Sequence, residues 1–271
     1  MNQYIERKFN DEKFVSDIDI NYITFDVANQ RYLATRKFNP ITRSISCSSL
    51  EISTFADRKI TCPEGLCVQP GTDNVLICDS IGNCVRIFNA QKKLLSSVNM
   101  CDTEVKCSLP HAVDCDVDGS FVVTDYSRQR VKLFTADGRP VRVVQQNGHL
   151  SSICHLNRRF SPSASATFMT ACHLSERKIS VLNNDGQPMS SFPLADYSDS
   201  ICADLNGNVC VSTYDLKTHS SLCILDPRMN FKMLQTITID EMSDRAGGLC
   251  VNDLNEIVWH DMNSHALRFL E

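Results

Sequence analysis

The chain has 271 residues, 27 Lys+Arg against 32 Asp+Glu, and 42% hydrophobic residues. That apolar content and a charged fraction of 22% exclude wholesale disorder, and no apolar run approaches the ~20 residues that span a bilayer. A net charge of -5 excludes a globally basic nucleic-acid binder but leaves room for a local basic surface. The opening segment MNQYIERKFNDEK lacks the apolar core of a secretory signal, so no leader and no membrane attachment are expected. The 14 cysteines include no CxxC pair, and several sit inside apolar runs such as VLIC at Cys78 and NVCVS at Cys210. They are expected to be reduced core thiols of a cytoplasmic protein.

A repeat of about 43 to 48 residues runs along the chain. The first copy lays Tyr32-Leu-Ala-Thr onto Val75-Leu-Ile-Cys, and Arg43 onto Arg86, at a shift of 43. The second and third copies match at Pro63 and Pro110, Asp79 and Asp125, and Phe88 and Phe134. A shift of 48 lays Phe134 onto Leu182 and Asp137-Gly138 onto Asp185-Gly186 in the fourth. Two looser copies follow, around 201–237 and 247–271. Each copy reads as four short strands separated by turn chemistry. In the third they run roughly 111–115, 121–124, 131–135 and 141–144, with tight turns at Asp118-Gly119 and Asp137-Gly138.

Four-stranded units at this period predict an all-β fold, a six-bladed β-propeller of antiparallel blades occupying residues 1–271 as one domain. The sixth copy ends on its third strand, whereas Tyr4–Phe9 is a spare run. That N-terminal run is expected to supply the outer strand of the last blade, removing an exposed edge.

Pro63…Asp79…Arg86-Ile-Phe and Pro110…Asp125…Arg130-Val-Lys-Leu-Phe…Asp137-Gly138 resemble the NHL repeat. Among NHL propellers the chain most resembles the C-terminal domain of the TRIM-NHL post-transcriptional regulators. The resemblance implies a cytoplasmic, non-enzymatic domain that binds single-stranded RNA and takes part in messenger-RNA regulation with protein partners.

Strand alternation places the two-to-three loops and the four-to-one connections on one face, here termed the upper face. Those segments carry Arg36-Lys37-Phe38, Arg58-Lys59, Tyr126 with Arg128 and Arg130, His173 with Arg177 and Lys178, and Tyr214 with Lys217. His111 starts a first strand at the same face. The two-to-three loops of repeats one, three and four together carry +5. Cations match phosphates and rings stack on bases, so these residues are the candidate RNA-binding set. A uridine-rich target is expected, because pyrimidines suit small stacking pockets. The plainer reading is a solvated rim, and for Arg130 a strut against Asp125. The -5 net charge and the acids Asp196, Asp199, Asp240, Glu241 and Asp244 favour the alternative, a protein partner on the same face.

Other chemistries find little support. Asp114-Cys-Asp116-Val-Asp118-Gly119 copies the opening of a calcium loop but sits where a strand turn is expected. Neither HExxH nor GxSxG occurs. No enzyme activity, metal or cofactor is therefore expected, and a propeller hydrolase or lyase remains an analogy of fold alone.

Overall fold

A computed structural model describes residues 4–5, 20–26, 28–36, 42–46, 52–55, 60–101, 108–156, 167–172, 176–183, 185–215, 220–239, 246–261 and 266–270. Among these the chain is all-β, and its strands form six four-stranded antiparallel sheets. The first sheet holds β2 (Ile20–Asp26), β3 (Arg31–Arg36), β4 (Thr42–Ser46) and β5 (Ile52–Phe55). The second holds β6 (Pro63–Gln69), β7 (Asn74–Asp79), β8 (Cys84–Phe88) and β9 (Leu94–Asn99). The third is β10 (Pro110–Cys115), β11 (Phe121–Asp125), β12 (Arg130–Phe134) and β13 (Pro140–Gln145). The fourth is β14 (Leu150–His155), β15 (Thr167–Cys172), β16 (Lys178–Asn183) and β17 (Pro188–Pro193). The fifth is β18 (Tyr197–Ala203), β19 (Val209–Tyr214), β20 (Ser220–Asp226) and β21 (Lys232–Ile239). The last runs β22 (Ala246–Val251), β23 (Ile257–Asp261), β24 (Ala266–Leu270) and then β1 (Tyr4–Ile5). The strands of the third sheet lie within one residue of the sequence expectation at every end.

Within each sheet the sequence fits the position of the strand. The middle strands β11 and β12 are buried along their whole length. β11 therefore opens on the apolar run FVV, whereas β12, RVKLF, buries two cations that are held by Asp125 and the Met100 carbonyl. The fourth strands β13 and β17 begin with proline and are mostly exposed, as edge strands that lack a neighbour should be. Tyr4 pairs with Leu270 and Ile5 with Phe269, so the N-terminal strand lies beside the third strand of the last sheet. Residues 6–9 of the expected closing strand lie outside the described residues.

The first strands hold the sheets together. β2 packs on β6, β6 on β10, β10 on β14, β14 on β18, β18 on β22, and β22 back on β2. Each first strand carries a register shift near its start, at Ile20/Tyr22, Pro63/Leu66, Pro110/Val113, Leu150/Ser152, Ser198/Ser200 and Ala246/Leu249. A bulge bends and twists its strand, and here it frees polar groups to bond across to the next sheet. The Ile201 N–H donates to Ser152 Oγ (3.2 Å), and the Leu249 N–H to Ser200 Oγ (3.1 Å). The His155 N–H donates to Asp114 Oδ2 (2.6 Å). Aliphatic clusters fill the space between adjacent sheets, as with Cys78, Val85 and Met100 of the second against Val113, Phe121 and Val123 of the third.

The calcium-loop look-alike is a strand turn. Asp116 accepts the Gly119 N–H (2.9 Å), and Asp118 Oδ1 accepts the Ser120 N–H (2.9 Å). Asp125 ends β11 at the opposite end of that strand and belongs to another site.

Gly65 marks a close approach of β6 to β10. A Cβ there would stand 2.6 Å from both the Ala112 Cα and the His111 carbonyl oxygen, which are backbone atoms with nowhere to go. Gly65→Ala is expected to destabilise the protein by about 1–3 kcal/mol, read as a lower urea midpoint with an unchanged slope. An unchanged midpoint would show that the two strands have room to part.

Candidate functional site

The upper face is organised by two aspartates at equivalent places in the repeat. Asp79, at the end of β7, accepts hydrogen bonds from the backbone N–H groups of Thr61 (3.1 Å), Cys62 (2.9 Å) and Gly82 (3.1 Å), and pairs with Arg86 (3.0 Å). A Cβ on Gly82 would stand 2.4 Å from the Asp79 carboxylate, so the loop closes over the carboxylate only with glycine there. Asp125, at the end of β11, accepts from Ser108 Oγ (2.6 Å), the Leu109 N–H (3.2 Å), Ser127 Oγ (3.0 Å) and Arg130 Nε (2.9 Å). Burial alone would raise the Asp125 pKa, but the hydrogen bonds from Ser108, Arg130, Leu109 and Ser127 outweigh it and hold the pKa below its ordinary value.

On this frame sits a ring stack. Tyr126 follows Asp125, and its N–H donates to the Leu109 carbonyl (2.9 Å). Its phenol lies between two imidazoles, with centroids 5.1 Å from His111 at 28° and 4.7 Å from His149 at 31°. Both imidazoles are positioned by backbone carbonyls: His111 Nδ1 lies 2.9 Å from Ser151 O, and His149 Nδ1 lies 2.9 Å from Tyr126 O. Arg128 is exposed beside the stack. A second group is built from the next sheets, where the exposed Arg177 guanidinium lies 4.4 Å over the Tyr197 ring and Tyr197 lies 5.8 Å from Tyr214.

The predicted residues therefore divide. His111 and Tyr126 come together with Arg128 exposed two residues on, and Arg177 and Tyr214 each meet Tyr197. Arg130 is a strut, with its side chain 10% exposed and bound to Asp125. Lys178 is half-buried, with Nζ 2.5 Å from Glu176, which offsets its charge. Tyr214 is buried, so Tyr197 carries the exposed edge of that pair. Arg36 ends β3, while Lys37, Phe38, Arg58, Lys59, His173 and Lys217 lie outside the described residues. Sequence reading missed His149 and Tyr197. His149 falls on a four-to-one connection and Tyr197 opens β18 directly after one, the same face by strand alternation, but Tyr197 was obscured by its acidic neighbours Asp196 and Asp199.

A channel of about 240 Å³ is lined by residues of all six first strands. At one level of the repeat these strands contribute Thr24, Cys67, Asp114, Cys154, Cys202 and Cys250. Burial pushes the Cys67 and Cys154 thiols well up, and the Cys210 hydrogen bond followed by burial does the same for Cys202. Neutral thiols are poor nucleophiles and poor metal ligands. Among the described residues no cluster of three or more His, Cys, Asp and Glu is arranged to hold a metal ion. His155 Nδ1 lies 3.5 Å from Asp114 Oδ2 at the channel, an imidazole–carboxylate pair that sequence reading did not single out.

No protein-family model and no curated protein sequence matches the chain. Solved structures do. A luciferin-regenerating enzyme superposes with a TM-score of 0.73 at 10% identity, covering 99% of this chain and 94% of its own. A gluconolactonase from Xanthomonas campestris gives 0.72 at 12%, covering 95% and 87%. A chain of the nidogen/laminin complex gives 0.66 at 16%, covering 80% and 79%. The fold is a β-propeller. At these identities the likeness is one of fold, and it does not single out the TRIM-NHL branch. It also overturns the expectation that the chain is not an enzyme, because the similar structures are mostly propeller enzymes. The physical reason is that absent HExxH and GxSxG motifs exclude only linear signatures. The channel instead gathers side chains from six separated strands.

Asp125→Ala would leave Arg130 largely buried without its counter-charge, at an expected cost of about 3–5 kcal/mol at pH 7. Because the folded pKa of Asp125 is lowered, its contribution is complete above the ordinary carboxylate value of about 3.9 and is lost as the pH falls through the folded value. Urea titrations of wild type and variant should therefore differ fully at pH 7 and converge below about pH 4.

Proposed function

We propose that the six sheets are the six blades of one propeller spanning residues 1–271, closed by β1, and that its upper face binds single-stranded RNA in a cytoplasmic regulator of messenger RNA. The observation that carries this reading is the Tyr126 ring held between His111 and His149 beside the exposed Arg128. Rings fixed in advance lose little side-chain entropy when a base stacks on their edge of the array. Arg128 and Arg177 supply phosphate contacts, and base edges are read by backbone and side-chain polar groups between blades. Small uridine-rich segments fit such shallow sites. Partner proteins of a messenger-RNA complex would use the remaining surface. A second reading, a protein-binding propeller, is favoured by the lower face, where Val117, Leu205 and Leu254 are 55%, 52% and 70% exposed on acidic turns.

The test is the affinity of the protein for a short oligouridine at two salt concentrations. Tyr126→Ala is expected to cost about 1–3 kcal/mol with little change in salt dependence. Arg128→Glu and Arg177→Glu should each lower the log–log salt slope by roughly 0.7. Lys92→Glu with Arg139→Glu, on the lower face, should leave binding unchanged. Wild-type binding weaker than ~100 μM at physiological salt would overturn the RNA reading, and loss of binding only in the lower-face pair would overturn the choice of face.

A further inference from the structure

The first strands of the second and third sheets bring two thiols into contact. Cys67 Sγ on β6 lies 3.2 Å from Cys115 Sγ on β10, between residues 48 apart in sequence. A disulfide needs about 2.05 Å, so just over 1 Å of closure separates the contact from a bond. The backbone already supplies the approach, since Gly65 lets β6 lie against Ala112 of β10 without a side chain between them. Cys67 lines the channel, and Cys115 is partly exposed. None of the eleven cysteines whose side chains are described is in a disulfide. Among them, Cys202 and Cys210 also face each other, but as opposed residues of one ladder. Such residues keep Cβ atoms about 4.5–5.5 Å apart, beyond the ~3.8 Å that a disulfide takes.

We propose that Cys67 and Cys115 are a redox modification site that hydrogen peroxide converts to a reversible disulfide joining β6 to β10. The Cys115 thiol loses its proton and attacks one peroxide oxygen, breaking the O–O bond. This gives Cys115 sulfenic acid and, with the released proton, one water. The Cys67 sulfur then loses its proton and displaces the hydroxyl of the sulfenic acid as a second water, forming the S–S bond. Two thiols are oxidised, one peroxide is reduced, and a dithiol reductant reverses the change. Cys115 acts first because it is the less buried partner. Burial keeps Cys67 as a thiol until the sulfenic acid forms beside it.

The experiment treats the reduced full-length chain with a modest excess of hydrogen peroxide. The expected result is a mass loss of two hydrogens, a fall of two in the denatured thiol count from 14, and a peptide linking Cys67 to Cys115. The melting temperature should rise by about 4 °C or more and return with dithiothreitol. Cys67→Ala should accumulate sulfenic acid at Cys115, captured by dimedone, and Cys115→Ala should yield neither label nor cross-link. A full thiol count after peroxide, a cross-link confined to other cysteines, or no dimedone adduct in Cys67→Ala would each overturn the proposal. The wild-type peptide map decides the matter even if a variant fails to fold.

Discussion

The structure depends on how closely its six first strands pack against one another. No single sheet can bury both of its faces, so each relies on its neighbours for a core. The contact is made where every first strand bulges. Near two of these bulges the N–H groups of Ile201 and Leu249 bond to Ser152 and Ser200 of the adjacent strand, and at the far end of β14 the His155 N–H bonds to Asp114. Side-chain hydroxyls and a carboxylate thus do between sheets what backbone carbonyls do within them. The glycine at 65 has the same purpose by another route, since it removes the atom that would hold β6 and β10 apart.

That packing sets the geometry of the upper face. Asp79 and Asp125 stand at the ends of the second strands and collect the N–H groups of the preceding connection and the guanidinium of the third strand. Each carboxylate therefore fixes two loops at once. The Tyr126 ring follows directly from the Asp125 frame, because the residue after the anchored carboxylate has little freedom to move. Rigid rings beside exposed guanidinium groups are suited to a flexible, charged, stackable ligand.

The channel is the second place where the fold gathers chemistry, and it carries a different character. Its polar groups are thiols held neutral by burial, two serines committed to backbone bonds, and the Asp114–His155 pair. Propeller folds serve enzymes and binding proteins alike, so the fold does not choose between the two. The side chains in the channel are what must be judged, and in this chain they include an imidazole–carboxylate pair and several thiols.

The sequence by itself determined the secondary structure and the repeat. Turn signals such as Asp118-Gly119 and Asp137-Gly138, and runs such as FVVTD, act over a few residues, so their meaning is local and legible. The matching of Asp79 to Asp125 likewise marked equivalent positions before any distance was known. Tertiary structure alone decided which side chains meet. Cys67 and Cys115, Asp114 and His155, and Tyr126 with its two histidines come from segments separated in sequence. Whether they touch depends on bulge positions and on how closely neighbouring sheets pack. The same holds for charge: Lys178 reads as a free cation in the sequence, but Glu176 holds it. A one-dimensional pattern records spacing, whereas burial and pairing are properties of the packed sheets.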